Sequence, residues 1–340
     1  MTADPPGLDL ERLRRHLNGA SPGLVSGPLT AEPIVGGKSN LTYYLGDGTS
    51  SWVLRRPPLG HVLPTAHNMA REFRVLSALT ETTVPVPQPL LLCEDETVVG
   101  APFYLMERVD GTVYRSADDT SDLSAADAAA LTDSLLDVLA ALHGIDPDAV
   151  GLGDFGRPAG FLTRQLRRWR AQLDASRSRP LPGIDELHES LTRHTPDSPP
   201  PAIVHGDYRL DNVIVGPGGR IDAVIDWEMT TIGDPLADLG LMIVYWDGLS
   251  MIPGSVSAAV GPETAFPRGA ALIEGYAKRR PVDLSAMPWY LAFGYFKLAV
   301  ITEGIHYRYV AGQTVGEGFE GMGEHTPTLV RLGLESLKED

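Results

Sequence analysis

Cysteine is almost missing: Cys93 is the only one in 340 residues. An internal disulfide is therefore impossible and a cysteine zinc cluster is excluded. A reducing cytoplasm is the expected location. Long hydrophobic runs are missing too. The stretches Leu236–Tyr245 and Leu291–Ile301 are broken by Gly, Asp or Lys, and a membrane-spanning helix needs about 20 apolar residues. No membrane association is expected. The opening MTADPPGLDLERLRRHL has no charged-then-apolar leader pattern, so export is not expected. Positive charge is scarce, with 28 Lys and Arg against 44 Asp and Glu, a net charge of −16. A nucleic-acid partner is not expected, because its usual footprint is a basic face. The acidic excess serves solubility, or attracts a cationic ligand. No repeat of 20–50 residues occurs, and no G-x-S-x-G esterase elbow. A Walker A loop is excluded because Glu32 stands where its first glycine belongs. His61/His67 and His188/His194 are each six apart, which is not zinc-ligand spacing on a helix.

What is present describes a globular chain, 43% hydrophobic and 21% charged. Its length exceeds the roughly 250–300 residues a single core supports, so two lobes are expected. The first is strand-rich. Ile34–Val35, Leu41–Leu45 and Trp52–Arg56 are short runs separated by glycine turns, and Leu90–Cys93 and Phe103–Glu107 are two further strands. Between them, Ala66–Leu79 repeats Met69, Phe73, Leu76 and Leu79 at helical spacing. After Gly111 the pattern turns helical. Ala125–His143 follows a capping Ser124, and Phe161–Asp174 is rich in Arg and Trp. A strand at Ala202–His205 and a hairpin of Val213–Val215 with Ile221–Ile225 come next, then more helix. The expected division is residues 1–108 and 109–340. The fold class is α+β: an antiparallel sheet with one helix, then a mainly helical lobe carrying a small hairpin.

The segment IVHGDYRLDNVIVGPGGRIDAVIDW, residues 203–227, concentrates the chemistry. Asp207 ends a strand, Asn212 follows five residues later, and Asp226 ends the returning strand. A hairpin brings its ends together, so Asn212 and Asp226 are expected to be neighbours. A carboxylate and an amide oxygen suit the hard ion Mg²⁺. A second carboxylate, Asp207, would accept a hydroxyl proton. Phosphoryl transfer needs this set, and protein kinases use an Asp and an Asn at the same spacing, then a metal-binding Asp.

HGDYRLDN followed by IDWE, with GDPLADL downstream, resembles the aminoglycoside phosphotransferase and choline kinase family. The resemblance implies a bilobal, protein-kinase-like fold and transfer of the γ-phosphoryl group of ATP or GTP to a small-molecule hydroxyl. It implies that Asp207 is catalytic, that Asn212 and Asp226 bind Mg²⁺, and that Asp238 braces the catalytic loop. His205 is read as a structural hydrogen-bonding residue, since Asp207 fills the base role. Gly37, Ser39 and Asn40 lie where the family's nucleotide loop belongs, and an ordinary hairpin turn reads equally well. Arg55 stands in the place of the phosphate-binding Lys, with Glu72 as its natural ion-pair partner. Glu107 and Val109 fall on the strand leading to the hinge, where main-chain atoms hold the base. Arg56 points to the opposite face by strand alternation.

The segments REFRVLSAL, FYLMERVDG, GRPAGFLTRQLRRW and KLAVITEGIHYRYVAGQT resemble one branch, the kinase-like domains associated with acyl-CoA dehydrogenases. That branch implies hydroxyacyl thioester acceptors, whereas other bacterial relatives act on natural-product antibiotics. Arg164, Arg167, Arg168 and Arg170 permit two readings. They meet an anionic substrate such as a CoA phosphate, or they decorate a surface helix with Trp169 in the core. Tyr208, Arg209, Glu228 and Tyr307 are near-site candidates, Glu228 without an assigned role. His143 is read as a helix C-cap. The competing function is a nucleotide-binding pseudokinase that regulates a partner protein. Oligomeric state is not encoded in any of these features.

Overall fold

The computed structural model describes residues 4–34, 40–59, 67–249, 259–261, 263–313 and 319–338. The expectations on Val35, Gly36, Gly37, Lys38, Ser39, His61 and Ala66 therefore lie outside the described residues. The chain divides into two compact units, Met1–Asp110 with Asp222–Glu228, and Gly111–Ile221 with Met229–Asp340. The segment Asp222–Glu228 groups with the first unit, although by position it falls in the second expected domain. Val224 N–H donates to Pro85 O at 2.8 Å within that unit.

The first unit contains α1 (Leu10–Ala20), β1 (Thr30–Pro33), β2 (Leu41–Gly46), β3 (Ser51–Arg56), α2 (Met69–Leu79), β4 (Pro89–Cys93) and β5 (Phe103–Glu107). The strands form one antiparallel sheet in the order β1-β2-β3-β5-β4. Expected at Ile34–Val35, the first strand instead pairs through Thr30–Pro33, with Thr30 opposite Gly46. Pro33 is tolerated there because β1 is an edge strand. Period-two alternation divides β3 between two environments. Trp52 and Leu54 join Leu13 and Leu17 of α1, Tyr43, Leu45, Phe103 and Leu105 in one core. Arg56 shares that face and is buried, donating to the Val99 carbonyl at 2.7 Å and to that of Gly7. Arg55 faces the other way, toward α2. That helix starts where Asn68 accepts from Arg71 N–H, a cap of about 1 kcal/mol.

The second unit comprises α3 (Ala117–Thr120), α4 (Ala125–Gly144), α5 (Phe161–Ser176), α6 (Ile184–Arg193), β6 (Ala202–Val204) and β7 (Val213–Val215). It continues through the start of β8 (Ile221–Val224), β9 (Thr231–Gly233), α7 (Pro235–Ile243), α8 (Gly269–Arg279), α9 (Met287–Val310) and α10 (Met322–Ser336). Ser124 caps α4 by accepting from Asp127 N–H. The helix α9 is nearly apolar along its first half and is packed by α5, α6, α7 and α10. A helix buried on every side reads as continuously hydrophobic. Strand β6 pairs antiparallel with β9, placing Val204 opposite Thr231. A turn closed by Gly216 N–H to Arg220 O at 2.8 Å follows β7. Among the described residues, no helix is long and apolar enough to cross a membrane.

Candidate active site

In the first unit one cation faces three carboxylates. Arg55 Nη2 lies 2.5 Å from Asp226 Oδ1 and 3.5 Å from Glu228 Oε2. Its Nε stands 3.0 Å from Glu72 Oε2 without hydrogen-bond geometry, so that contact is coulombic rather than directional. Glu72 also accepts from Asn40 Nδ2 at 3.1 Å and from the Tyr104 hydroxyl at 3.0 Å. Asn40 is buried, donates to Glu228 Oε2 at 3.0 Å, and its Oδ1 meets His67 Nδ1 at 2.8 Å. The Asn40 amide thus cross-links two carboxylates.

The charges in this cluster do not balance, and the titrations follow from that. Burial alone would lower the Arg55 pKa, but Glu72 and its acidic neighbours outweigh burial and raise it. Glu72 is pushed up to about 7 by burial, which Arg55 opposes and the Asp226 and Glu228 charges reinforce. Both directions are consistent: the guanidinium stays charged, while burial and acidic neighbours disfavour the charged form of Glu72. Glu72 is the most deeply buried of the three carboxylates. Asp226 adds backbone strain, with φ of 67° in a region that disfavours side chains. Among the described residues, no group of three or more His, Cys, Asp or Glu side chains is arranged to hold a metal ion.

In the second unit the residues of the HGDYRLDN and GDPLADL segments come together. GDPLADL folds as a cap followed by one helical turn. Asp234 accepts from Leu236 N–H at 2.9 Å and from the Tyr290 hydroxyl at 2.7 Å, Pro235 occupies the first turn, and Asp238 follows four residues later. Asp238 is buried and accepts His205 N–H at 2.6 Å and Gly206 N–H at 2.8 Å. Its third partner is His143 Nε2 at 3.3 Å, whose Nδ1 meets the Tyr276 hydroxyl at 2.7 Å. His143 is therefore not a helix cap but part of the buried brace, because α8 supplies Tyr276 against α4. Burial would raise the Asp238 pKa, yet His143, His205 and the Gly206 N–H bring it below its ordinary value. Gly206 has φ of 84°, and a Cβ there would lie 2.7 Å from Met229 O. The arginine of the protein-kinase motif could not occupy that position.

Asp207 follows directly. Its N–H donates to His205 Nδ1 at 3.2 Å, the structural role read for His205. Its Oδ2 accepts from Asn212 Nδ2 at 3.0 Å and Arg209 Nε at 3.2 Å. Asn212 Nδ2 also donates to Asp207 O at 2.8 Å. The amide nitrogen is thereby committed, which leaves the Asn212 carbonyl oxygen as the group that can serve a cation. Burial pushes the Asp207 pKa up, but Arg209, Lys297, His205 and a Tyr245 hydroxyl bond pull it below its ordinary value. Asp207 is a carboxylate at neutral pH.

Two of these neighbours escaped the sequence reading. Lys297 of α9 donates from Nζ to Gly206 O at 2.7 Å and lies 5.6 Å from the Trp169 ring. Burial depresses its pKa, against the attraction of Asp207 and Asp238. A lone lysine in the apolar run FGYFKLAV was the available signal. Tyr245 lies under Arg209, whose guanidinium carbon is 4.7 Å from the ring. Tyr208 points elsewhere: it is buried and its hydroxyl donates to Leu135 O at 3.0 Å, so it belongs to the core. Tyr307 is exposed on α9. In the first unit Glu107 N–H is taken by Gln88 O at 2.8 Å, and Val109 is half-buried just beyond β5.

The α+β architecture, with its five-stranded antiparallel sheet and helical second unit, is protein-kinase-like. Residues 30–279 match the model of the phosphotransferase enzyme family, and the chain belongs to that family. It is 36% identical to acyl-CoA dehydrogenase family member 11 of Rattus norvegicus over 335 residues, 96% of this chain but 43% of the relative. The chain thus spans less than half the length of that relative. A crystal structure of a Ralstonia eutropha protein assigned to the aminoglycoside phosphotransferases superposes with a TM-score of 0.84 at 34% identity, covering 97% of this chain and 98% of that one. An aminoglycoside phosphotransferase crystallised with ADP and hygromycin B shares the fold, with a TM-score of 0.60 at 17% identity over 94% and 98% of the two chains.

Proposed function

We propose that the protein is a small-molecule kinase that transfers the γ-phosphoryl group of ATP or GTP to a substrate hydroxyl. The observation that carries this reading is the state of Asp207: ionised, partly buried, and held by Asn212 and Arg209 on a loop whose leading N–H groups are anchored by Asp238. A carboxylate so fixed can orient an acceptor hydroxyl and take its proton as the oxygen attacks phosphorus. The new bond is oxygen to γ-phosphorus. The bond that breaks joins that phosphorus to the nucleoside diphosphate, which leaves. Lys297 and Arg209 keep Asp207 charged until the proton arrives.

Nucleotide binding is assigned to the first unit. Arg55 is the phosphate-binding cation, anchored by Glu72. Gly37, Ser39 and Asn40 are assigned to the nucleotide loop. The carbonyl of Glu107, whose N–H is taken by Gln88 O, and the Val109 main chain are assigned to the base. Asn212 and Asp226 are read as the Mg²⁺ ligands on the family resemblance. The ion would neutralise charge on the transferring phosphate. The acceptor is a hydroxyacyl-CoA-like thioester or a natural-product alcohol, and the expected location is the cytoplasm. The family match gives no support to the alternative, a nucleotide-binding pseudokinase.

The test is incubation with Mg²⁺ and γ-labelled ATP or GTP against hydroxyacyl-CoAs, aminoglycosides, nucleoside antibiotics and simple alcohols, read by mass spectrometry. A phosphorylated product identifies the acceptor class. Nucleotide binding with no modified acceptor in any class would favour the pseudokinase.

A further inference from the structure

Four arginines and one aromatic ring line an open groove of about 550 Å³ in the second unit, formed by Arg157, Arg164, Arg167, Arg168 and Phe161 with Thr231 at its edge. That volume falls within the range of small-molecule sites. Among the described residues, none of the four arginines pairs with a carboxylate, whereas the next arginine along α5, Arg170, pairs with Asp174 and Asp185. In a chain of net charge −16 this local excess of cations is not a by-product of composition. Arg164, Arg167 and Arg168 stand at i, i+3 and i+4, neighbours on one helical face, where like charges repel. The guanidinium of Arg164 is tied to the carbonyls of Ala159 and Arg157 and shapes the wall. Arg157, Arg167 and Arg168 keep their forks for something else.

The groove adjoins the catalytic loop by construction. Thr231 lies across from Val204, three residues before Asp207. Gly156 and Gly233 allow the groove segment to seat on β9: a Cβ on Gly156 would come within 2.5 Å of Ile232 N, and one on Gly233 within 2.6 Å of Phe161. Trp169 is buried, which settles its place in the core. Its ring lies 5.7 Å from the Arg168 guanidinium carbon and 5.6 Å from Lys297 Nζ, and Lys297 holds Gly206 O. The contacts therefore run from groove arginine to Trp169, to Lys297, to the residue before Asp207.

We infer that this groove binds an anionic group of the acceptor, a phosphate or diphosphate that the acceptor carries in addition to the hydroxyl it presents to Asp207. The inference rests on the reading of the second unit as the acceptor side. Guanidinium forks match phosphate oxygens in bidentate fashion. A carboxylate-bearing acceptor would need fewer of them, and a polycationic aminoglycoside would be repelled. Among the acceptor classes above, the groove favours the phosphate-bearing thioester.

The test is calorimetric titration of the whole protein, with Mg²⁺ and ADP at saturation so that the nucleotide site is filled. The probes are CoA, inorganic pyrophosphate, pantetheine and kanamycin. No turnover is needed, so a failure of transfer and a failure of this inference are separately visible. Wild type is expected to bind CoA and pyrophosphate and not pantetheine. R167Q/R168Q and, separately, R157Q are expected to weaken both by at least about tenfold, with unchanged melting temperature and unchanged affinity for ADP. CoA and pyrophosphate binding that is absent in wild type, or equal in wild type and both variants, overturns the inference. So does kanamycin binding more tightly than CoA.

Discussion

Replacing Asp238 by Ala should be among the most damaging single changes outside the reacting groups. The side chain is buried and satisfies His205 N–H at 2.6 Å, Gly206 N–H at 2.8 Å and His143 Nε2 at 3.3 Å. Each backbone donor left buried and unpaired costs about 1–3 kcal/mol, so the two together cost about 2–6 kcal/mol. About 4 kcal/mol is therefore expected for D238A. At about 2–4 °C per kcal/mol for a unit of this size, the melting temperature should fall by roughly 8–16 °C. D238N keeps one acceptor oxygen and turns an amide N–H toward the other donors, so its loss should be about half. Thermal melts followed by circular dichroism, with urea titrations as a check, read the difference. A D238A protein melting within about 2 °C of wild type would refute the claim that this carboxylate holds the loop.

Three further outcomes follow from the same geometry. Gly206→Ala must adopt φ of 84° with a Cβ 2.7 Å from Met229 O. It should lose at least about 1–2 kcal/mol from the left-handed conformation alone, and turnover should fall more than nucleotide affinity. Lys297→Met removes a charge-assisted bond to Gly206 O, of about 1.5–3 kcal/mol. Turnover should drop by about tenfold or more while ADP affinity, measured by calorimetry, stays unchanged. Glu72 has a folded-state pKa of about 7 against 4.5 ordinarily. Between those values the folded state binds the extra proton, so the contribution of Glu72 to stability is full below 4.5 and is lost as pH rises through about 7. Urea unfolding of wild type should show that decline, and E72Q should flatten it. A decline equally steep in E72Q would refute the assignment.

The division of information between sequence and tertiary structure is visible residue by residue. The two faces of β3 were legible because side chains alternate strictly along a strand. That alternation placed Arg55 and Arg56 on opposite faces, and the structure adds that Arg56 is buried. The start of α4 at Ser124 was legible because capping is local. The loop residues Asp207, Asn212 and Asp238 were legible as a spaced motif, and their hydrogen bonds to each other and to the backbone lie within one unit. The helix α1 was overlooked, although Asp9 with Leu10, Leu13 and Leu17 carries a cap and an apolar stripe. His143 and Lys297 were not legible by spacing at all. Each acts on the loop from a helix distant in sequence, and only packing reveals which buried polar group each one satisfies. Asn40 was read as part of a phosphate loop from its position, and only packing reveals that its side-chain amide also joins a buried network with Glu72, Glu228 and His67.

The central claim is that Asp207 takes the proton of an acceptor hydroxyl during phosphoryl transfer. The most direct measurement compares wild type and D207N, with Mg²⁺, γ-labelled nucleotide and an acceptor modified by the wild type, in single turnover. The account predicts that D207N binds nucleotide within about threefold of wild type and transfers about 10²–10⁴-fold more slowly. Transfer by D207N at the wild-type rate would contradict it.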